Sequence, residues 1–113
     1  MKVHSKGEIL RTVKIAEDEL NDLALLKILG TPSHVFALSD KNPYPLQDII
    51  VAGFPFGDRV SSSLKFTMGI VSSLTGIGNN YSEIQIDAAL QPGNSGGPIM
   101  DEFGNIIAVA VAK

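Results

Sequence analysis

Six residues near the carboxyl end, Gly93-Asn94-Ser95-Gly96-Gly97-Pro98, combine a serine with the backbone freedom that acyl transfer needs. A serine hydroxyl is a weak nucleophile until a base takes its proton and preorganised donors await the developing oxyanion. Glycines on both sides of Ser95 let the backbone turn so that successive N–H groups point into one concavity. A glycine-rich hairpin turn is the plain alternative, and a bare Gly-x-Ser-x-Gly would not exclude it. The whole six, preceded by Asp87-Ala88-Ala89-Leu90-Gln91-Pro92, are more specific. The same serine also fits the nucleophile elbow of α/β-hydrolases, which runs from a strand into a helix and is followed by an acid and then a histidine. Gly96-Gly97-Pro98 is a poor helix start, and both histidines, His4 and His34, precede Ser95. The elbow fails on both counts.

The elements that must position this serine read as short strands separated by Gly, Pro, Asn and Ser clusters. Ile9, Val13 and Ile15 alternate with polar residues, and Ser5-Lys6-Gly7 before them predicts a tight turn pairing them with Lys2-Val3-His4. Leu23 to Leu29 is almost wholly apolar and is expected to be a buried strand. Gly30, Pro32, Pro43 and Pro45 mark a linker. Beyond it Ile49–Ala52, Phe66–Ser73 and Glu83–Asp87 read as strands, the last alternating polar and apolar without a break. Ile106–Ala112 is the last strand, led in by the hairpin turn Asp101-Glu102-Phe103-Gly104-Asn105. Seven or so short strands predict an all-β antiparallel barrel or sandwich.

Composition narrows the chemistry. The chain has 113 residues, 44% apolar and 19% charged, which suits one compact domain and argues against disorder. A net charge of −3 without a basic stripe excludes nucleic acid as the expected partner. The absence of cysteine removes disulfides, thiolate metal sites and a thiol nucleophile together. No cofactor or metal is expected. The apolar runs are too short to span a bilayer, and the first seven residues do not form a signal peptide.

With these residues in view, the chain resembles the trypsin-like serine peptidases of chymotrypsin fold, nearest their bacterial HtrA-like branch. Ile84 to Pro98 follows that branch's nucleophile segment closely, and Asn21-Asp22-Leu23-Ala24-Leu25-Leu26-Lys27 is similar to its segment bearing the triad aspartate. Gly53-Phe54-Pro55-Phe56-Gly57 is similar to a Gly-Asn-Pro-Phe-Gly loop, with Phe54 in place of Asn, and Met68–Ser73 matches the strand that follows. The resemblance runs in order from about residue 9 to the carboxyl end. It implies a fold of two antiparallel barrels, with residues 1–29 as the last strands of the first barrel and 30–47 as the connection. Residues 48–113 would then be the second barrel, without its closing strand. It also implies serine endopeptidase activity on peptide or unfolded protein, and export from the cell by likeness to relatives.

Residue roles follow from the same resemblance. Ser95 is the nucleophile, Asp22 orients a catalytic histidine, and the N–H groups of Gly93 and Ser95 form the oxyanion hole. Alone, Asp22 reads as a strand-start residue; inside the matching motif, 73 residues before Ser95, the catalytic reading prevails. Asp87 is expected to be structural. Ala89 and Leu90 would floor the specificity pocket, and Ala110, Val111 and Ala112 would wall it and pair with substrate backbone as an added strand. That pocket holds no carboxylate, so cleavage after Val, Ala or Leu is expected. The triad histidine has no counterpart in a Thr-x-x-His-Val-like segment. His4 reads as an exposed strand residue and His34 as a loop residue. Loss of triad function costs on the order of 10⁶ in kcat, about 8 kcal/mol of barrier, so the chain alone is expected to be almost inactive and to associate through unpaired strand edges. A non-catalytic peptide-binding barrel remains the second reading, and a chance match by a small solitary β-domain the third.

Overall fold

The computed structural model describes residues 2–5, 8–32, 34–53, 64–76, 82–90 and 93–111. The expected turn at Lys6-Gly7, the loop residues Phe54–Gly57 and the pocket residue Ala112 lie outside them. Eight strands and no helix are found among the described residues. They are β1 (Lys2–Ser5), β2 (Glu8–Asp18), β3 (Leu23–Ile28), β4 (Asp48–Gly53), β5 (Lys65–Ser73), β6 (Gln85–Asp87), β7 (Pro98–Met100) and β8 (Ile106–Val109). The all-β expectation holds. β7 was hidden in the sequence because its three residues continue the serine motif.

The chain divides into two compact units, Met1–Val35 and Phe36–Lys113. The first is a three-stranded antiparallel sheet in the order β1-β2-β3. β2 pairs Lys2 with Arg11 on one side and Asp18 with Leu23 on the other, with a bulge between Lys14 and Ala16. One expectation is corrected here. β3 is a strand, but Leu23, Leu25 and Leu29 are 45%, 60% and 61% exposed rather than buried. This unit is a single sheet, and one sheet has no second layer of its own to cover an apolar run.

The second unit is a five-stranded antiparallel sheet in the order β6-β5-β4-β7-β8. Its register gathers the core on one face: Val51 lies opposite Ile99, Ile99 opposite Ala108, and Val71 opposite Ile86. Ile49, Val51, Val71, Ile99 and Ala110 are buried together, with Ile84, Leu90 and Ile107 packed against them. β5 and β6 approach too closely at Gly69 for any side chain. A Cβ there would collide with the Asp87 carbonyl oxygen and stand 2.7 Å from the Ala88 Cβ. Glycine at this strand position is a packing requirement.

The segment leading into β4 is held to the same sheet. Leu38 bridges Ile106 in parallel, through Ile106 N–H to the Ala37 carbonyl and Ser39 N–H to the Ile106 carbonyl. Before β4, Tyr44-Pro45-Leu46-Gln47 forms a turn closed by the Gln47 N–H on the Tyr44 carbonyl, with Leu46 at φ 69°. Between β7 and β8 the turn expected at 101–105 is present. The buried Asp101 carboxylate accepts the N–H groups of Phe103 and Asn105, both at 2.9 Å, and Gly104 supplies φ 83°.

Candidate active site

Ser95 sits at the tip of a tight turn that leads into β7. The Gly97 N–H donates to the Asn94 carbonyl at 2.9 Å, so Ser95 and Gly96 are the two central residues. Gly96 has φ 85°, as the second central position of a type II turn demands. Gly93, before the turn, has φ 101°. These are conformations that glycine adopts without steric cost, so the positions flanking Ser95 and Asn94 could not take an ordinary side chain without strain. Ser95 itself is exposed, while Asn94 before it is 3% exposed.

Two further bonds fix the turn from the side. The Gly96 N–H donates to the Ala110 carbonyl at 2.7 Å, and the Ala110 N–H donates to the Gly97 carbonyl at 2.9 Å. β8 ends at Val109, earlier than the run Ile106–Ala112 suggests, because beyond the Pro98–Val109 pair the pairing passes into a bulge in which Ala110 faces both Gly96 and Gly97. Ala110 is 1% exposed and its methyl belongs to the core, whereas Val111 is 38% exposed. Of the expected pocket wall, then, Val111 has the side-chain surface and Ala110 supports the turn. Of the expected floor, Ala89 is exposed and Leu90 packs partly against the core cluster.

The underside of the turn rests on the end of β4. A Cβ at Gly97 would stand 2.8 Å from the Ala52 carbonyl oxygen, and one at Gly53 would stand 2.5 Å from Asn94 Oδ1. Both approaches need glycine. The burial of Asn94 against Gly53 was not foreseen, because Gly53 lies 41 positions earlier and nothing local links the two.

Asp22 belongs to the other unit, in the loop joining β2 to β3. It is exposed and has φ 55°. The loop is shaped by Asp18, whose carboxylate accepts the Asn21 side-chain amide at 2.7 Å and the Asn21 N–H at 3.2 Å. Those bonds, the side-chain one foremost, hold the Asp18 carboxyl below its ordinary value of 3.8. The structure thus brings Gly93, Ser95, Ala110 and Val111 to one end of the β7–β8 pair, while Asp22 occupies its own hairpin. His34 is exposed in the segment after β3, and His4 lies on β1 opposite Ile9.

The chain is similar to known proteins along most of its length. The family model for the trypsin-like peptidase domain matches residues 2–109. The uncharacterized protein y4bJ of Sinorhizobium fredii is 39% identical over 99 residues, covering 88% of this chain and 16% of that protein. The serine protease Do-like HtrA of Lactobacillus helveticus is 33% identical over 117 residues, covering 96% of this chain and 28% of that protein. Among solved structures, the serine endoprotease from Yersinia pestis superposes with a TM-score of 0.73 at 30% identity, covering 91% of this chain and 35% of that one. The HtrA-type protease AlgW with decapeptide gives 0.74 at 34% identity, covering 94% and 33%. The chain therefore spans about a third or less of the length of these proteins.

Proposed function

This chain belongs to the trypsin-like peptidase domain family, and we propose that it carries the serine part of a serine endopeptidase site. In this reading Ser95 Oγ attacks the carbonyl carbon of a peptide bond and gives its proton to a histidine base. The N–H groups of Gly93 and Ser95 receive the oxyanion, the amine leaves with the proton, and water then releases the acyl group. Asp22 orients the base. The observation that supports this most is the turn itself: an exposed serine between two left-handed glycines, braced by Ala110 on one side and Ala52–Gly53 beneath. A donor array held this firmly needs no reorganisation as charge develops.

The substrate reading extends from the same surface. The exposed Ala89 and Val111 offer apolar, uncharged contacts, which favours small aliphatic side chains before the cut bond. No histidine of these 113 residues lies in a Thr-x-x-His-Val-like segment, so on their own they hydrolyse peptides slower by a factor on the order of 10⁶ than a complete triad. Rapid labelling of Ser95 by a fluorophosphonate in the 113-residue chain would contradict that. The test of the reading is casein hydrolysis by a longer form that supplies such a segment before Asp22. Ser95→Ala should abolish it, and undiminished cleavage by Ser95→Ala would overturn the assignment.

A second reading is favoured by one observation: β8 is the outer strand of its sheet and, past Ile106, which the Ala37–Ser39 segment bonds, no strand pairs with its far side among the described residues. An outer strand can take an added peptide strand without any chemistry. In that case the longer form would bind extended peptides equally with Ser95 or Ala at this position and cleave none.

A further inference from the structure

Gly53 closes β4, and nothing in its own backbone asks for glycine: it pairs with Lys65 as a strand residue and, unlike Gly93 and Gly96, is not at positive φ. Glycine in such a place weakens a strand and has another reason, commonly the close approach of a neighbour. The neighbour is the Asn94 side chain. The three atoms that a Cβ at Gly53 would meet first all belong to Asn94: Oδ1 at 2.5 Å, Cγ at 3.4 Å and Cα at 3.5 Å. Asn94 is 3% exposed, and its Oδ1 has no hydrogen-bond partner among the described residues. The fit against Gly53, rather than a hydrogen bond, sets the place of that oxygen. At Gly97 the contact is of another kind, since a Cβ there would meet the backbone oxygens of Ala52 and Asn94 at 2.8 and 2.9 Å. Those cannot yield without moving strand and turn, whereas the end of the Asn94 side chain can be displaced by one methyl.

We propose that Gly53 and Asn94 form a matched pair of positioning residues for Ser95, the empty side of the glycine receiving the carboxamide and so seating the turn on β4. Asn94 opens the turn. Its carbonyl accepts the Gly97 N–H, and its peptide bond to Ser95 carries the N–H assigned to the oxyanion hole. A methyl at position 53 takes the place of Oδ1. The site is packed, so the carboxamide has no second place within it, and Asn94 moves outward with the Ser95 N–H attached. Truncating Asn94 has the opposite fault, an empty space beside Gly53 that lets the turn settle towards β4. The two faults offset each other when combined, because the added methyl fills what the truncation empties. The pairing itself is a matter of packing; its meaning for catalysis rests on Ser95 being the nucleophile.

Hydrogen exchange in the 15N-labelled chain tests the pairing without turnover, because the Gly96, Gly97 and Ala110 amides each donate one of the bonds that hold the turn. Gly53→Ala should speed exchange at these three by about tenfold or more. Val71, whose amide bonds the Gln47 carbonyl in the same sheet, should stay within about threefold of native. Asn94→Ala should speed the same three amides, and the two substitutions together should return Gly96 and Ala110 to within about threefold of native. Native exchange at Gly96 and Ala110 in Gly53→Ala would overturn the proposal. So would an equal rise at Val71, which marks general destabilisation, or a double variant that exchanges no more slowly than the single ones. If Gly53→Ala alone does not fold, recovery of a folded, protected turn in the double variant supports the pairing, and its absence overturns it. Fluorophosphonate labelling of Ser95 in the longer form is a separate measurement. Gly53→Ala should slow it by a factor on the order of 10², and the double variant should recover most of that loss. If exchange follows the expected pattern and the longer form with native Gly53 and Asn94 is not labelled, the peptidase reading falls and the pairing stands.

Discussion

Asp22 is the residue whose conformation says most about what is asked of it. Its φ of 55° lies in the left-handed region, which disfavours most side chains and which glycine enters freely. Aspartate enters that region more readily than most residues, so the conformation suits a loop aspartate and the role of the carboxylate is a matter for substitution. Asp22→Gly and Asp22→Ala separate the two demands. Both remove the carboxylate and should abolish hydrolysis alike in the longer form. In thermal unfolding Asp22→Gly should be the more stable of the two by about 1 kcal/mol. Equal stability would remove the argument from strain. Four residues away, Asp18 titrates in a way that follows from its bonds to Asn21, which keep its pKa below 3.8. Its contribution to the loop is complete above the ordinary carboxylate value and is lost as pH falls through the lowered one. The Asn21 side-chain amide resonances should therefore shift with a midpoint below 3.8, and Asp18→Asn should flatten that curve.

At the scale of elements, alternation and turn chemistry carried most of the fold. The β1–β2 hairpin, β4, β5 and the Asp101–Asn105 turn were legible because each is written in consecutive residues. What was not legible depends on residues far apart. Leu23–Leu29 reads as buried because an apolar run carries no record of whether a second layer covers it. The end of β8 at Val109 depends on Ala110 bonding Gly96 and Gly97, which no local pattern announces. Of the candidate site, the serine turn was readable from its glycines, whereas the support beneath it by Ala52 and Gly53 was not. Leu46 shows the same limit. Pro45 signals a turn, but a type II turn asks for glycine at the next position, and the chain has a leucine there at φ 69° and 74% exposed. That side chain loses little by removal, so Leu46→Gly should stabilise the chain, by up to about 1 kcal/mol. Chemical denaturation is the measurement, with an unchanged slope and a raised midpoint as the expected result. A lowered midpoint would mean that Leu46 makes contacts worth more than its strain.

For the molecule as a whole, the β1-β2-β3 sheet presents an exposed face rich in apolar side chains. Ile9, Val13, Leu25 and Leu29 are each more than half exposed. The register puts them on one face, because Val13 lies opposite Lys27, and Leu25 and Leu29 flank Lys27 two residues either way. A contiguous apolar face of this kind is a site of association, and we propose that copies of this chain meet through it. Arg11 and Lys27 stand on the same face between the apolar residues, so two such faces brought together also bring like charges together. Screening should then help rather than hinder, since salt weakens the repulsion while leaving apolar burial intact. Sedimentation should show a mass of 12.0 kDa at low concentration rising as concentration rises, and rising further at high ionic strength. Val13→Thr with Leu25→Thr should keep the chain monomeric across the same range. Association that weakened with salt would instead point to charge pairing as its cause, and a constant monomer mass would exclude this face as an interface between copies.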